Sequence, residues 1–207
     1  AEWVAYRVLG GTVGVASLLP RNWQADALLD EVPRQDTGIV AATTFVQPDL
    51  SNAQDQEYRV NELIYPSVAR GRLAPMTSFA GTPYWDELNY LSNMAPLPVD
   101  LRTGSWARLE QAINALARRE GEVFVLTGPL LHVNDAIDTP RAYFKVVRRG
   151  DRIAAFVFAA DLPPHADYCD QGSSVAQIET ATGLILFPGQ QDDFAQLGLG
   201  CAVSTPG

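Results

Sequence analysis

Residues 70–110 run RGRLAPMTSFAGTPYWDELNYLSNMAPLPVDLRTGSWARLE, and the reading of this stretch decides the fold. Its end opens the clearest helix of the chain, residues 105–119, in which Trp106, Leu109, Ile113 and Leu116 recur at intervals of three, four and three. That spacing lays one apolar stripe along a helix, to be buried against a sheet. Thr103 and Ser105 are the candidate N-caps, and Gly121 is placed to close the far end. Upstream, residues 85–93 (WDELNYLSN) form a short amphipathic piece in which Asn93 is expected to fix a turn. Gly71, between Arg70 and Arg72, suits a tight backbone path. The stretch also holds Arg70, Arg72 and Arg102, and its helix carries Glu110.

Working outward, residues 3–9 (WVAYRVL) are β-branched and aromatic and read as a strand that ends at Gly10-Gly11. Residues 122–127, 143–147 and 153–159 read as further strands, the last apolar enough to be central in a sheet. Residues 175–183 read as a helix closed by glycine. Residues 21–68 are polar and turn-rich, with Pro33, Pro48 and Pro66, and are expected to form long loops with a short helix or two. Strands and helices alternate irregularly, which predicts an α+β fold with a central, mainly antiparallel sheet flanked by helices. The 207 residues suit a single domain spanning 1–207.

Hydrophobic residues make up 47% of the chain and charged residues 19%, and no apolar run reaches the length of a membrane-crossing helix. Residues 1–6 lack the basic segment and apolar stretch of a signal peptide. The net charge of −9 repels phosphate backbones at long range, so any nucleic-acid site must be a local basic patch or use a metal ion. His132 and His165 do not stand at metal-ligand intervals from Cys169 and Cys201. On spacing alone, one disulfide between the two cysteines and two buried thiols are equally good readings.

The 70–110 stretch resembles the signature region of the DNA/RNA non-specific endonucleases, of the ββα-metal (His-Me finger) class. That signature is Asp-Arg-Gly-His, an Ala-Pro, a Leu-Asn-Tyr-Leu-Ser-Asn segment with Pro-Gln, and an Asn four residues before Trp-Ala-Arg-Leu-Glu. Arg21-Asn22-Trp23 with Asp26, Thr127 to Leu130, Pro140 to Val146, Tyr168-Cys169, Ile178-Glu179, Thr182 to Leu184 and Gly200-Cys201 continue the similarity in order. Residues 30–68 diverge. The resemblance implies a two-stranded ribbon and a helix holding one divalent cation, usually Mg²⁺. A histidine acts as general base on water, an asparagine binds the metal, and a helix glutamate holds metal-bound waters. It also implies that Cys169 and Cys201 are bonded, and with that an oxidising compartment, the periplasm or the exterior.

The match breaks where the chemistry should be. Ala69 stands for the signature's Asp, Arg72 for its histidine, Arg102 for the metal-binding asparagine and Leu97, after Pro96, for its glutamine. Asn114 stands where these enzymes often carry another arginine, while Arg70, Gly71 and Glu110 are retained. An arginine stays protonated and has no lone pair for a metal. No cofactor is therefore expected. Flanking arginines should pull the pKa of Glu110 down and make it a weak base. The candidate catalytic residues are Arg70, Arg72 and Glu110. Arg21, Arg70, Arg72, Arg102 and Lys145 form a candidate phosphate cradle. An alternative of equal weight pairs Arg72 and Arg102 with Glu110 in a salt-bridge cluster. Three functional readings follow: an endonuclease-like protein that has lost hydrolysis and binds DNA or RNA, or is structural; a metal-free enzyme that clamps phosphodiesters with arginines; and a subunit that meets a protein partner through residues 30–68.

Overall fold

The computed structural model describes residues 2–21, 24, 26, 70–131, 140–188, 191–192 and 197–201. The expectations for Asn22, Trp23, residues 30–68, Ala69 and His132 lie outside them. In chain order the regular elements are β1 (Val4–Leu9), β2 (Arg70–Arg72), β3 (Met94–Pro96), α1 (Val99–Thr103), α2 (Ser105–Glu120), β4 (Glu122–Leu130), β5 (Ala142–Arg149), β6 (Arg152–Ala159), β7 (Gly172–Ser173), α3 (Val175–Thr182) and β8 (Gln191–Asp192). Residues 85–93, expected as one amphipathic piece, form two short 3-10 turns, Trp85–Asn89 and Leu91–Asn93.

The main sheet has the order β1-β4-β5-β6-β7, with β8 also pairing β6. Every pairing in it is antiparallel except β6 with β8. This is the α+β architecture expected. The apolar stripe of α2 packs on one face, where Trp106, Leu109, Ile113 and Leu116 meet Val8, Val125, Tyr143 and Phe158. The Trp106 ring stands edge-on to Tyr143 and Phe158. On the opposite face Ile178 of α3 and Leu186 cover Leu126, Phe144, Val146 and Ile153. Each fully buried aliphatic side chain contributes about 1.5–3 kcal/mol. These two layers are therefore what holds the sheet in place.

The start of α2 departs from expectation, since neither Thr103 nor Ser105 caps it. The residue before the helix is Gly104, at φ −95° and ψ −120°. A Cβ there would lie 2.5 Å from the Asp100 carbonyl oxygen and 2.6 Å from that of Pro164. The Thr103 hydroxyl donates back to the Val99 carbonyl at 2.8 Å, and the Ser105 hydroxyl donates to the Ala166 carbonyl. Packing of residues 164–166 on the α1–α2 joint has taken the Ser105 hydroxyl, and the preceding turn of α1 has taken that of Thr103. At α3 the local rule holds, and Ser174 and Gln177 form a reciprocal capping box.

The ribbon β2–β3 is separate from the main sheet and pairs Arg70 with Pro96, Gly71 with Ala95 and Arg72 with Met94. Leu73 and Leu97, just beyond the two strands, are fully buried. The Tyr143 hydroxyl of β5 donates to the Pro96 carbonyl, which ties ribbon to sheet. Asn93 fixes the turn, as expected: its side chain accepts from the Ala74 amide at 2.8 Å and donates to the Ala74 and Leu88 carbonyls, each at 3.0 Å. Gly71 is needed for close approach, since a Cβ there would sit 2.7 Å from the Leu97 side chain. Cys169 and Cys201 form a disulfide, with Cα atoms 5.4 Å apart. Among the described residues no helix is long and apolar enough to cross a membrane.

Candidate functional site

Where the ribbon, α1 and α2 converge they leave a cleft of about 410 Å³, lined by Arg21, Gly71, Arg72, Arg102, Trp106 and Glu110 among others. Arg72 comes from the end of β2, Arg102 from the last turn of α1 and Glu110 from the second turn of α2. Residues far apart in the chain thus share one wall. The Nη2 of Arg72 donates to Asn89 Oδ1 at 2.7 Å. The Nε atoms of Arg72 and Arg102 are buried donors without an acceptor of their own, while each side chain makes other polar contacts.

Beneath the cleft the Glu110 carboxylate accepts a hydrogen bond from Lys145 Nζ at 2.9 Å. Lys145 has no exposed surface, and its ammonium lies 4.0 Å from the centre of the Trp106 ring. The indole thus offers a cation–π contact on the ammonium's other side. Burial pushes the Glu110 pKa up, and the charge and hydrogen bond of Lys145 pull the other way. The Trp106 indole N–H also favours the carboxylate, although it does not reach hydrogen-bond geometry. Burial likewise pushes Lys145 down, against the opposing pull of Glu110. Tyr6 is raised by burial first and by the Glu110 charge second.

The sequence profile of the DNA/RNA non-specific endonucleases matches residues 1–193. The chain belongs to this family. It is 35% identical to the nuclease of Serratia marcescens, over 93% of this chain and 70% of that protein. A mitochondrial EXOG nuclease of Danio rerio is 25% identical, over 70% of this chain and 48% of its own length. Nuclease C1 of Cunninghamella echinulata var. echinulata is 29% identical, over 66% of this chain and 62% of its own length. The chain therefore spans about half of the second relative and three fifths of the third. The fold is similar to that of a chain in a crystal structure of an EndoG/EndoGI complex, with a TM-score of 0.59 and 20% identity over 89% of this chain and 77% of that one.

The cleft holds Arg72 and Arg102, the two residues that the resemblance set against the family's general base and metal ligand. The donor set does not suit a divalent cation. Among the described residues that line the cleft Glu110 is the one carboxylate, and it already carries the Lys145 ammonium. Magnesium needs oxygen ligands, and guanidinium groups offer only donors.

Several expectations need correction. Lys145, read as part of the phosphate cradle, lies under it with no exposed surface, because β5 turns its side chain into the core between Glu110 and Trp106. The Glu110 pKa was expected to fall, but burial raises it, and the cation that acts on it is Lys145. Arg70 is placed by its backbone opposite Pro96, and its side chain lies outside the described residues. His165, which was not expected at the site, is on the loop before the last 3-10 turn and does not line the cleft.

Two residues of the site escaped the sequence reading. Asn114, noted there only as an absent arginine, accepts from the Ser78 hydroxyl at 2.6 Å and donates to the Thr77 hydroxyl at 3.0 Å, so it holds the 3-10 turn that edges the cleft. Asn89 is fully buried, yet it is one unremarkable polar residue in WDELNYLSN. Its contact with Arg72 spans seventeen residues, and no local pattern announces it.

Proposed function

We propose that this protein is an endonuclease-family member whose cleft binds nucleic-acid phosphates through arginines and has lost metal-dependent hydrolysis. The observation that carries the reading is the composition of the cleft. Arg72 and Arg102 occupy the base and metal-ligand positions and share one wall with Arg21, while Glu110 is tied to Lys145. Planar guanidinium forks suit phosphate oxygens. Neither can accept a proton from water or ligate Mg²⁺. A general base is typically worth about 10²–10⁴ in rate, and a metal ion several kcal/mol more. DNA or RNA is the ligand class, and the disulfide supports a periplasmic or extracellular setting.

A second reading keeps an enzyme, with arginines clamping a phosphodiester and Glu110 handling the proton. The observation in its favour is that burial raises the Glu110 pKa above the ordinary carboxylate value. One assay separates the two: degradation of plasmid DNA and of RNA with Mg²⁺, with Mn²⁺ and with EDTA. Under the first reading the wild type is nearly inactive in every arm, and the triple change Ala69→Asp, Arg72→His, Arg102→Asn restores Mg²⁺-dependent cleavage. Arg72→His alone does little. Brisk cleavage in EDTA that disappears in Arg72→Ala or Arg102→Ala overturns the first reading in favour of the second.

A further inference from the structure

Asn89 is a fully buried amide whose two ends join the cleft residue Arg72 to the segment that leads into Arg21. Its Oδ1 accepts from Arg72 Nη2 at 2.7 Å. Its Nδ2 donates to the carbonyl of Pro20, the residue before Arg21, at 3.3 Å and to Asp86 Oδ1 at 3.2 Å. The other Asp86 oxygen accepts from Gln24 Nε2 at 2.8 Å. Gln24 is itself stitched to the same turn, its amide donating to the Asn89 carbonyl at 3.0 Å and its carbonyl accepting from Leu91 at 2.9 Å. The segment that bears Arg21 and the strand that bears Arg72 therefore meet at one side chain.

The amide has only one workable orientation. With Nδ2 toward the carboxylate and the carbonyl, and Oδ1 toward the guanidinium, all three contacts are donor to acceptor. Turned over, the amide would set its N–H groups against the Arg72 N–H groups and its oxygen against two acceptors. Asp86 supplies the charge that makes the observed orientation preferred. It is exposed and outside the cleft, and its carboxylate accepts from Gln24 and Asn89.

We propose that Asn89, oriented by Asp86, is a positioning residue that presets the Arg72 guanidinium and the Arg21 segment as one anion-binding fork. The inference rests on the phosphate-binding reading of the cleft and adds the device that aims it. A fork ordered before the ligand arrives loses less side-chain entropy on binding. This makes an acidic chain able to hold a phosphodiester at a local site despite its long-range repulsion.

The decisive variant is Asp86→Asn, because charge and positioning predict opposite signs. Removing an exposed carboxylate near a phosphate site raises the local positive potential and by itself tightens binding. If Asp86 orients Asn89, the same change lets the amide turn and weakens binding. Two measurements are made on the whole chain: titration of a short fluorescent single-stranded DNA in EDTA, and side-chain ¹⁵N spectra of the arginines, with Arg72→Lys assigning the Arg72 signal. In the wild type the Arg72 Nη protons should be resolved, held by slow rotation. In Asp86→Asn they should average while the melting temperature stays close to wild type, and affinity should fall about tenfold, the size of one charge-assisted hydrogen bond. Unchanged or tighter binding by Asp86→Asn overturns the inference, as does an Arg72 signal already averaged in the wild type. Should the wild type fail to bind DNA in EDTA, the phosphate-binding reading falls, and the ¹⁵N spectra alone decide whether Asn89 pins Arg72.

Discussion

Replacing Lys145 by methionine isolates the ion pair beneath the cleft. Methionine fills the volume of the lysine stem and removes the ammonium. At 2.9 Å and an effective dielectric near 20, the lost attraction is about 6 kcal/mol before desolvation is subtracted. Removing one partner of a buried pair costs about 3–5 kcal/mol, because the other charge stays behind. Glu110 retains 15% of its side-chain exposure and a pKa already raised by burial, so it can escape part of that cost by taking a proton. The lower half of the range is therefore expected. For a domain of this size that is a fall of roughly 6–15 °C in melting temperature. In Lys145→Met both Lys145 contributions that lowered the Glu110 pKa are gone, so the carboxyl moves further up. The deficit should shrink as pH falls through that value, since the protonated acid needs no counter-charge. Adding Glu110→Gln to Lys145→Met should recover most of the loss. Thermal melts by circular dichroism, run across pH, check each step. A Lys145→Met protein that melts with the wild type, or a double variant as unstable as the single one, would refute this account of the pair.

Two further outcomes follow from named contacts. Changing both Cys169 and Cys201 to serine opens a loop of 32 residues, and should cost about 3–4 kcal/mol in a denaturant melt; no loss of stability would show that the bridge contributes nothing to the fold. Glu110→Gln should change how stability depends on pH. Because the folded pKa of Glu110 is raised, its contribution is complete below the ordinary carboxylate value and is lost as pH rises through the folded value. Lys145, lowered by burial, contributes fully above its ordinary value and loses that contribution as pH falls through its folded one. The mildly acidic part of the wild-type profile should therefore slope downward with rising pH and flatten in Glu110→Gln, and parallel profiles would contradict it.

Much of the fold was legible because periodicity is local. The apolar stripe of α2 and the β-branched runs of β4, β5 and β6 stand in the sequence as repeats of a few residues. The glycine that closes α2 stands there too, taking φ +96°. The N-cap of α2 was misread because Ser105 and Thr103 were judged by type, whereas their hydroxyls serve Ala166 and Val99. The same limit governs the site. Arg21, Arg72, Arg102 and Glu110 were found by family pattern, and they do line one cleft. Lys145 was misplaced because alternation along β5 tells which face a side chain takes, and not whether a carboxylate and an indole await it there. Asn89 was missed because its partners, Pro20, Arg72 and Asp86, are brought together only by the ribbon and the 3-10 turn.

The way the ribbon is held explains how two signature positions could change without loss of the scaffold. In small metal-bound folds the ion supplies the folding energy, so altered ligands mean an unfolded chain. Here the ribbon is anchored by other means. Leu73 and Leu97 are buried in the core beside α2, Tyr143 bonds the Pro96 carbonyl, and Asn93 closes the turn on Ala74 and Leu88. None of these contacts uses the positions of Arg72 or Arg102. The anchoring of the ribbon therefore needs no metal ion at those two positions, while Arg72 adds a contact of its own to the buried Asn89. Under the function proposed here the exchange is also nearly neutral in charge, since two guanidinium groups stand for a neutral imidazole and a doubly charged ion. Attraction for phosphate and the ability to cleave it depend on different properties of the same atoms: the first needs positive charge and N–H donors, the second a lone pair. Under the function proposed here, the substitutions keep the first and remove the second.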